Sequence, residues 1–116
     1  MNLSAGPKLR EHLRSLRELG CIVSGYRGAV TLHHCHGGSL REFGQLRGVA
    51  MKTSDWLQIP LAWEMHVGTQ GIDVIGVETW EKQFGSQLSY LEDVSWRLGY
   101  SVFRLAGLSW PPLAAL

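Results

Sequence analysis

Leu9, Leu13, Leu16 and Leu19 recur at helical spacing, with Lys8, Arg10, Arg14 and Arg17 on the other face and Glu11 and Glu18 among them. Pro7 can open this helix, and Gly20 stops it after about three turns. The basic face is either solvated or a surface for phosphate. Cys21-Ile22-Val23-Ser24-Gly25 and Ala29-Val30-Thr31-Leu32 read as two short β segments around a glycine-containing turn. Residues 37–54 lack firm periodicity and carry Gly37, Gly38, Gly44 and Gly48, which predicts a long basic loop. Asp55–Ala62 reads as a short strand ending near a proline. Trp63–Gly68 reads as a single helical turn, cut short by Gly68 and Gly71.

Beyond Gly71 the pattern changes. Val77, Trp80, Phe84 and Leu88 keep helical spacing, and Leu91, Val94 and Leu98 continue it. Gly85 interrupts the run, so the expectation is one helix before it and a second over residues 86–98, stopped by Gly99. Trp80 and Trp96 are expected in the core. Residues 100–116 form an apolar tail with Trp110-Pro111-Pro112, which either packs back as an extended arm or binds a partner chain.

Composition narrows the class. The 116 residues predict one domain, with 45% hydrophobic and 18% charged residues typical of a globular protein. A formal charge of +1 gives no global field for a polyanion, although local basic clusters can still bind one. The N-terminus has no signal-peptide order, and no apolar run approaches the ~20 residues of a membrane span. The expectation is a cytoplasmic protein with no membrane partner and with Cys21 and Cys35 reduced. Without a Cys-x-x-Cys pair, a zinc site of four cysteines is excluded. Lone cysteines are more often small buried hydrophobes than ligands.

The stretch Thr31-Leu32-His33-His34-Cys35-His36-Gly37-Gly38-Ser39 holds three of the five histidines. Histidine is the commonest protein ligand for transition metals, and a general base near neutral pH. The cluster is thus a metal or catalytic site, or else a solvated loop or a structural pair. A strand pair ending in His33-His34, a loop, a short strand and a helix with His66 follow the order of a ββα-metal finger. Phosphodiester cleavage needs a base for the water proton and a cation at the scissile phosphate. One strand histidine can be the base while its neighbour and the helix histidine hold the metal. Adjacent side chains of an ideal strand face opposite ways, so the strand must twist or end at 33–34 for both to serve one site.

Four ordered blocks make the likeness specific. They are His33-His34-Cys35-His36-Gly37-Gly38-Ser39, Lys52-Thr53-Ser54-Asp55, Ile59-Pro60-Leu61-Ala62 and His66-Val67-Gly68-Thr69-Gln70-Gly71-Ile72-Asp73. Over about residues 21–98 the chain resembles the HNH (His-Me finger) nucleases of phage recombination modules. The resemblance implies an α+β domain spanning 1–116, with a small antiparallel hairpin and a ββα-metal core flanked by N- and C-terminal helices. It implies a metal-dependent DNA endonuclease or nickase, partnered by DNA and by phage or host recombination proteins. His34 would be the general base, and Asp55 would pin the loop or orient that base. His33 and His66 would be ligands of a divalent ion, Mg2+ or Mn2+ with Zn2+ as an alternative. Lys52 would approach phosphate, and Arg41 and Arg47 are further candidates for it. A homodimer through the apolar C-terminal segment is the expected self-association.

The chain departs from the pattern at three positions. Ala62 replaces a usual cysteine, Met65-His66 stands for a doubled histidine, and Gln70 stands where a further histidine often follows. With Ser24 at the other thiol position, these departures imply that any zinc knuckle has been lost, leaving His36 or Asp73 to complete the metal's ligands. The alternatives are a non-catalytic adaptor that uses Arg10, Arg14, Arg17, Arg41, Arg47 and Lys52 on phosphates, or a histidine-rich metal enzyme unrelated to nucleic acid.

Overall fold

Helix α1 (Leu9–Leu19) ends at Gly20, whose φ of 79° lies in the left-handed region. It buries Leu16 and, on the same stripe, His12, whose Nδ1 lies 2.7 Å from the Tyr100 hydroxyl. The computed structural model describes residues 6–43 and 54–108. The Arg47 and Lys52 assignments and residues 109–116 of the tail lie outside them.

Within that range the fold is α+β. Strand β1 (Thr31–His34) is followed by a 3₁₀ helix (Gly38–Phe43) and strand β2 (Gln58–Leu61). Then come α2 (Trp63–His66), α3 (Ile72–Ile75), α4 (Val77–Phe84), α5 (Gln87–Leu98) and α6 (Val102–Leu105). The two strands pair antiparallel, with Thr31 opposite Leu61, Leu32 opposite Pro60, His33 opposite Ile59 and His34 opposite Gln58. Pro60 fits inside this ladder because its carbonyl points outward, accepting from the Ile22 N–H at 3.0 Å. Its missing N–H therefore falls on the side away from β1 and removes no ladder bond.

The core lies where α1, β2, α4, α5 and α6 meet. Leu16, Leu57, Ile59, Leu61, Trp80, Leu91, Val94 and Phe103 are all fully buried there. A fully buried aliphatic or Phe side chain contributes roughly 1.5–3 kcal/mol. No helix among the described residues is long and apolar enough to cross a membrane.

Four expectations need correction. Cys21–Gly25 is a turn rather than a strand. The Cys21 N–H donates to the Tyr26 carbonyl and the Gly25 N–H to the Cys21 carbonyl, and Gly25 takes a positive φ. Part of the 37–54 loop is ordered as the 3₁₀ helix, because Glu81 accepts from both the N–H and the hydroxyl of Ser39. Trp96 is 81% exposed, not core. It sits two residues after Val94, on the far side of α5 from the buried Leu91 and Val94. The described part of the tail is not an extended arm, since it forms α6 and buries Val102 and Phe103.

Candidate metal centre

Strand alternation sorts the residues of β1. Thr31 and His33 turn toward α2, while Leu32 and His34 turn toward α1. His66 closes α2, one turn after β2, and its N–H is bonded to the Ala62 carbonyl. The chain then doubles back tightly. A Cβ on Gly71 would lie 2.4 Å from the His66 carbonyl carbon, so only glycine permits the approach. Glu64 holds this turn, accepting from the Thr69 hydroxyl at 2.9 Å and the Gln70 N–H at 3.3 Å. Asp73, in the first turn of α3, is thereby carried to His66.

The result is a group of three side chains. His66 Nε2 lies 3.1 Å from Asp73 Oδ2, and His33 Nδ1 lies 3.7 Å from Asp73 Oδ1. One ligand atom from each of His33, His66 and Asp73 falls within 4.8 Å of the others. The two imidazoles meet edge to face, with centroids 5.3 Å apart. His33 is 2% exposed and Asp73 48%, so the group is closed at the back and open at the front.

Hydrogen bonds behind the rings aim them. His33 Nε2 is 3.0 Å from Gln87 Oε1, and His66 Nδ1 is 2.6 Å from Thr31 Oγ1. The Thr31 hydroxyl also lies 3.4 Å from the Leu61 carbonyl. Burial, first, drives the His33 pKa down to about 4, with the nearby His66 and His36 adding to it. The hydrogen bond to Gln87 and the Asp73 charge oppose the shift. His33 is therefore neutral at pH 7, with a lone pair available. Two imidazoles and a carboxylate, backed by hydrogen bonds to the outer ring nitrogens, are a donor set suited to a divalent metal.

His34 belongs to a different environment. Its Nε2 donates to Asp55 Oδ1 at 2.9 Å, and Gln58 Nε2 fixes the Asp55 carbonyl at 2.8 Å. The pair lines an open cleft of about 510 Å3, shared with Leu13, Arg17, Thr31 and Gln58. Thr31 is common to both places, lining this cleft while bonding His66. β1 ends at His34.

The remaining candidates are dispersed. The His36 ring lies 5.7 Å from that of His33, yet His36 is not in the group of three, and Gln87 holds its backbone. Arg41 Nη2 is 3.5 Å from Glu78 Oε1, a solvent-exposed pair of small energetic weight. Cys35 is fully buried, and burial, aided by Glu81, pushes its thiol pKa well up, which disfavours a thiolate ligand. Gln87, Glu81 and Thr31 received no site role from the sequence. The one signal was Gln87 itself, a polar residue at the start of the stripe continued by Leu91, Val94 and Leu98.

Comparison of the chain with protein-family models, with curated proteins and with solved structures found no match in any of the three.

Proposed function

We propose that this protein is a metal-dependent endonuclease of the HNH type that hydrolyses phosphodiester bonds in DNA. The observation that carries the reading is the convergence of His33, His66 and Asp73 within 4.8 Å where β1 meets the helix that follows β2. The four ordered sequence blocks that resemble HNH nucleases supply the reaction class. In this reading His33, His66 and Asp73 hold the cation, with Asp73 taking the place left open by Gln70. Two nitrogen donors favour Mn2+ or Zn2+ over Mg2+, which prefers oxygen ligands. Bound there, such an ion would supply positive charge to the scissile phosphate and the leaving oxygen.

His34 takes the proton. Its Nε2–H is committed to Asp55, which leaves Nδ1 as the basic nitrogen. Proton transfer from water to Nδ1 makes an imidazolium that the Asp55 carboxylate stabilises. Arg17, in the same cleft, is suited to a phosphate beside the scissile one.

The test is relaxation of supercoiled plasmid by purified protein with Mn2+, Zn2+ or Mg2+, with and without chelator. The expected result is nicking with Mn2+ that chelation abolishes and that His34→Ala and His66→Ala both lose. DNA binding by a parent protein inert with every metal would replace this reading with a non-catalytic adaptor.

A further inference from the structure

We infer that Gln87 is a positioning residue: its side-chain oxygen fixes His33 as the Nε2–H tautomer and so turns the Nδ1 lone pair toward His66 and Asp73. Its relevance to a metal rests on the function proposed above; the tautomer itself does not.

The argument begins with which end of the Gln87 amide is oxygen. The atom 3.0 Å from His33 Nε2 also accepts from the His36 N–H at 3.2 Å, so it must be an acceptor. The other end lies 2.9 Å from the His36 carbonyl and 3.4 Å from Glu81 Oε2, two acceptors, so it must be the NH2. A flipped amide would oppose donor to donor at His36 N–H and oxygen to oxygen at the His36 carbonyl. The backbone of a single residue thus locks the amide from both sides. Gln87 is fully buried, so no solvent offers an alternative partner. Its N–H donates to Glu81 Oε2 at 2.7 Å, and that carboxylate also accepts from Ser39, which ties the lock to the 3₁₀ helix.

With an obligate acceptor at Nε2, the single proton of neutral His33 stays there. Without that acceptor the balance reverses. The Asp73 carboxylate, 3.7 Å from Nδ1, would then be an acceptor on the opposite side of the ring and would draw the proton to Nδ1. A ring protonated at Nδ1 presents a hydrogen, not a lone pair, to the centre. Gln87, 54 residues away in sequence, decides between a ligand and a donor at His33.

Long-range 1H–15N correlation spectra of the metal-free protein near neutral pH report which ring nitrogen carries the proton. The parent is expected to show His33 as Nε2–H. Gln87→Met should move the proton to Nδ1 and lower Mn2+ affinity by roughly 10- to 100-fold. In a folded Gln87→Glu the oxygen facing the His36 carbonyl must carry a proton, while the other still accepts from His33 and should retain the Nε2–H form. An Nδ1–H form in the parent overturns the inference whether or not either variant folds. So does a folded Gln87→Met that keeps both the tautomer and the affinity. A tautomer switch in a protein that binds no Mn2+ upholds the role of Gln87 and removes the proposed metal centre instead.

Discussion

His33 and His34 are neighbours in the chain and strangers in the fold. His33 is enclosed, its pKa held down to about 4, with its outer nitrogen bonded to Gln87. His34 is about one-third exposed and paired with a carboxylate across an open cleft. The difference follows from strand alternation, which gives adjacent side chains to opposite faces. One face holds an enclosed, neutral imidazole; the other holds an exposed imidazole bonded to a carboxylate beside an open cleft. In the function proposed above, a ligand and a base make incompatible demands on the same nitrogen, and the strand separates the two histidines by a single residue.

The largest effect should come from the His34 face. His34→Ala is expected to lower plasmid nicking on the order of 10²–10⁴-fold while Mn2+ affinity stays at the parent value. Equal loss of affinity and activity would break the division between the two faces. On the other face, Asp73→Asn and His66→Ala should weaken Mn2+ binding by ~10-fold or more, with nicking partly restored at high Mn2+. Unchanged affinity in both would remove them from the centre.

Acid should act chiefly through the enclosed face. The His33 pKa is lowered on folding, so the unfolded chain binds more protons between the unfolded value of 6.5 and the folded value of about 4. Stability is therefore full above pH 6.5 and falls as pH drops through that window, by on the order of 3 kcal/mol from this residue. His12, whose pKa is lowered by burial with a smaller opposing influence of the Trp56 backbone, acts in the same direction. Denaturant melts across the window check this, and a His33→Gln variant should show a shallower decline. A slope unchanged in His33→Gln would assign the acid sensitivity elsewhere. The smallest effect is expected from Asp55→Asn, which leaves a hydrogen-bonding partner for His34. Its nicking should fall less than that of His34→Ala, with stability within about 0.5 kcal/mol of the parent, as for an exposed substitution. Loss equal to that of His34→Ala would make the Asp55 charge, not its position, decisive.

Local signals in the sequence carried much of this architecture. Leucine spacing and Gly20 marked α1, and Gly85 and Gly99 bounded α4 and α5, because helix stripes and positive-φ stops are properties of a few consecutive residues. Trp96 was misread because its hydrophobicity was weighed without its angle from Val94, which carries it to the solvent side. Cys21–Gly25 has strand-like residues, yet its N–H groups are drawn into a turn and onto the edge of β2, a tertiary choice. Of the three side chains that converge, His33 and His66 were named by their motifs, and Asp73 as one of two candidates to join them. The choice between Asp73 and His36 was not legible. It depends on Gly71 letting α3 fold back on His66, and on Gln87 gripping the His36 backbone, contacts that no spacing encodes.

Pulsed EPR of bound Mn2+ tests the central claim most directly, because the 14N couplings identify the histidines that touch the ion. The parent and His34→Ala should both show two coupled imidazole nitrogens, and His33→Ala and His66→Ala should each show one. Loss of a nitrogen in His34→Ala, or no imidazole coupling in the parent, would contradict it.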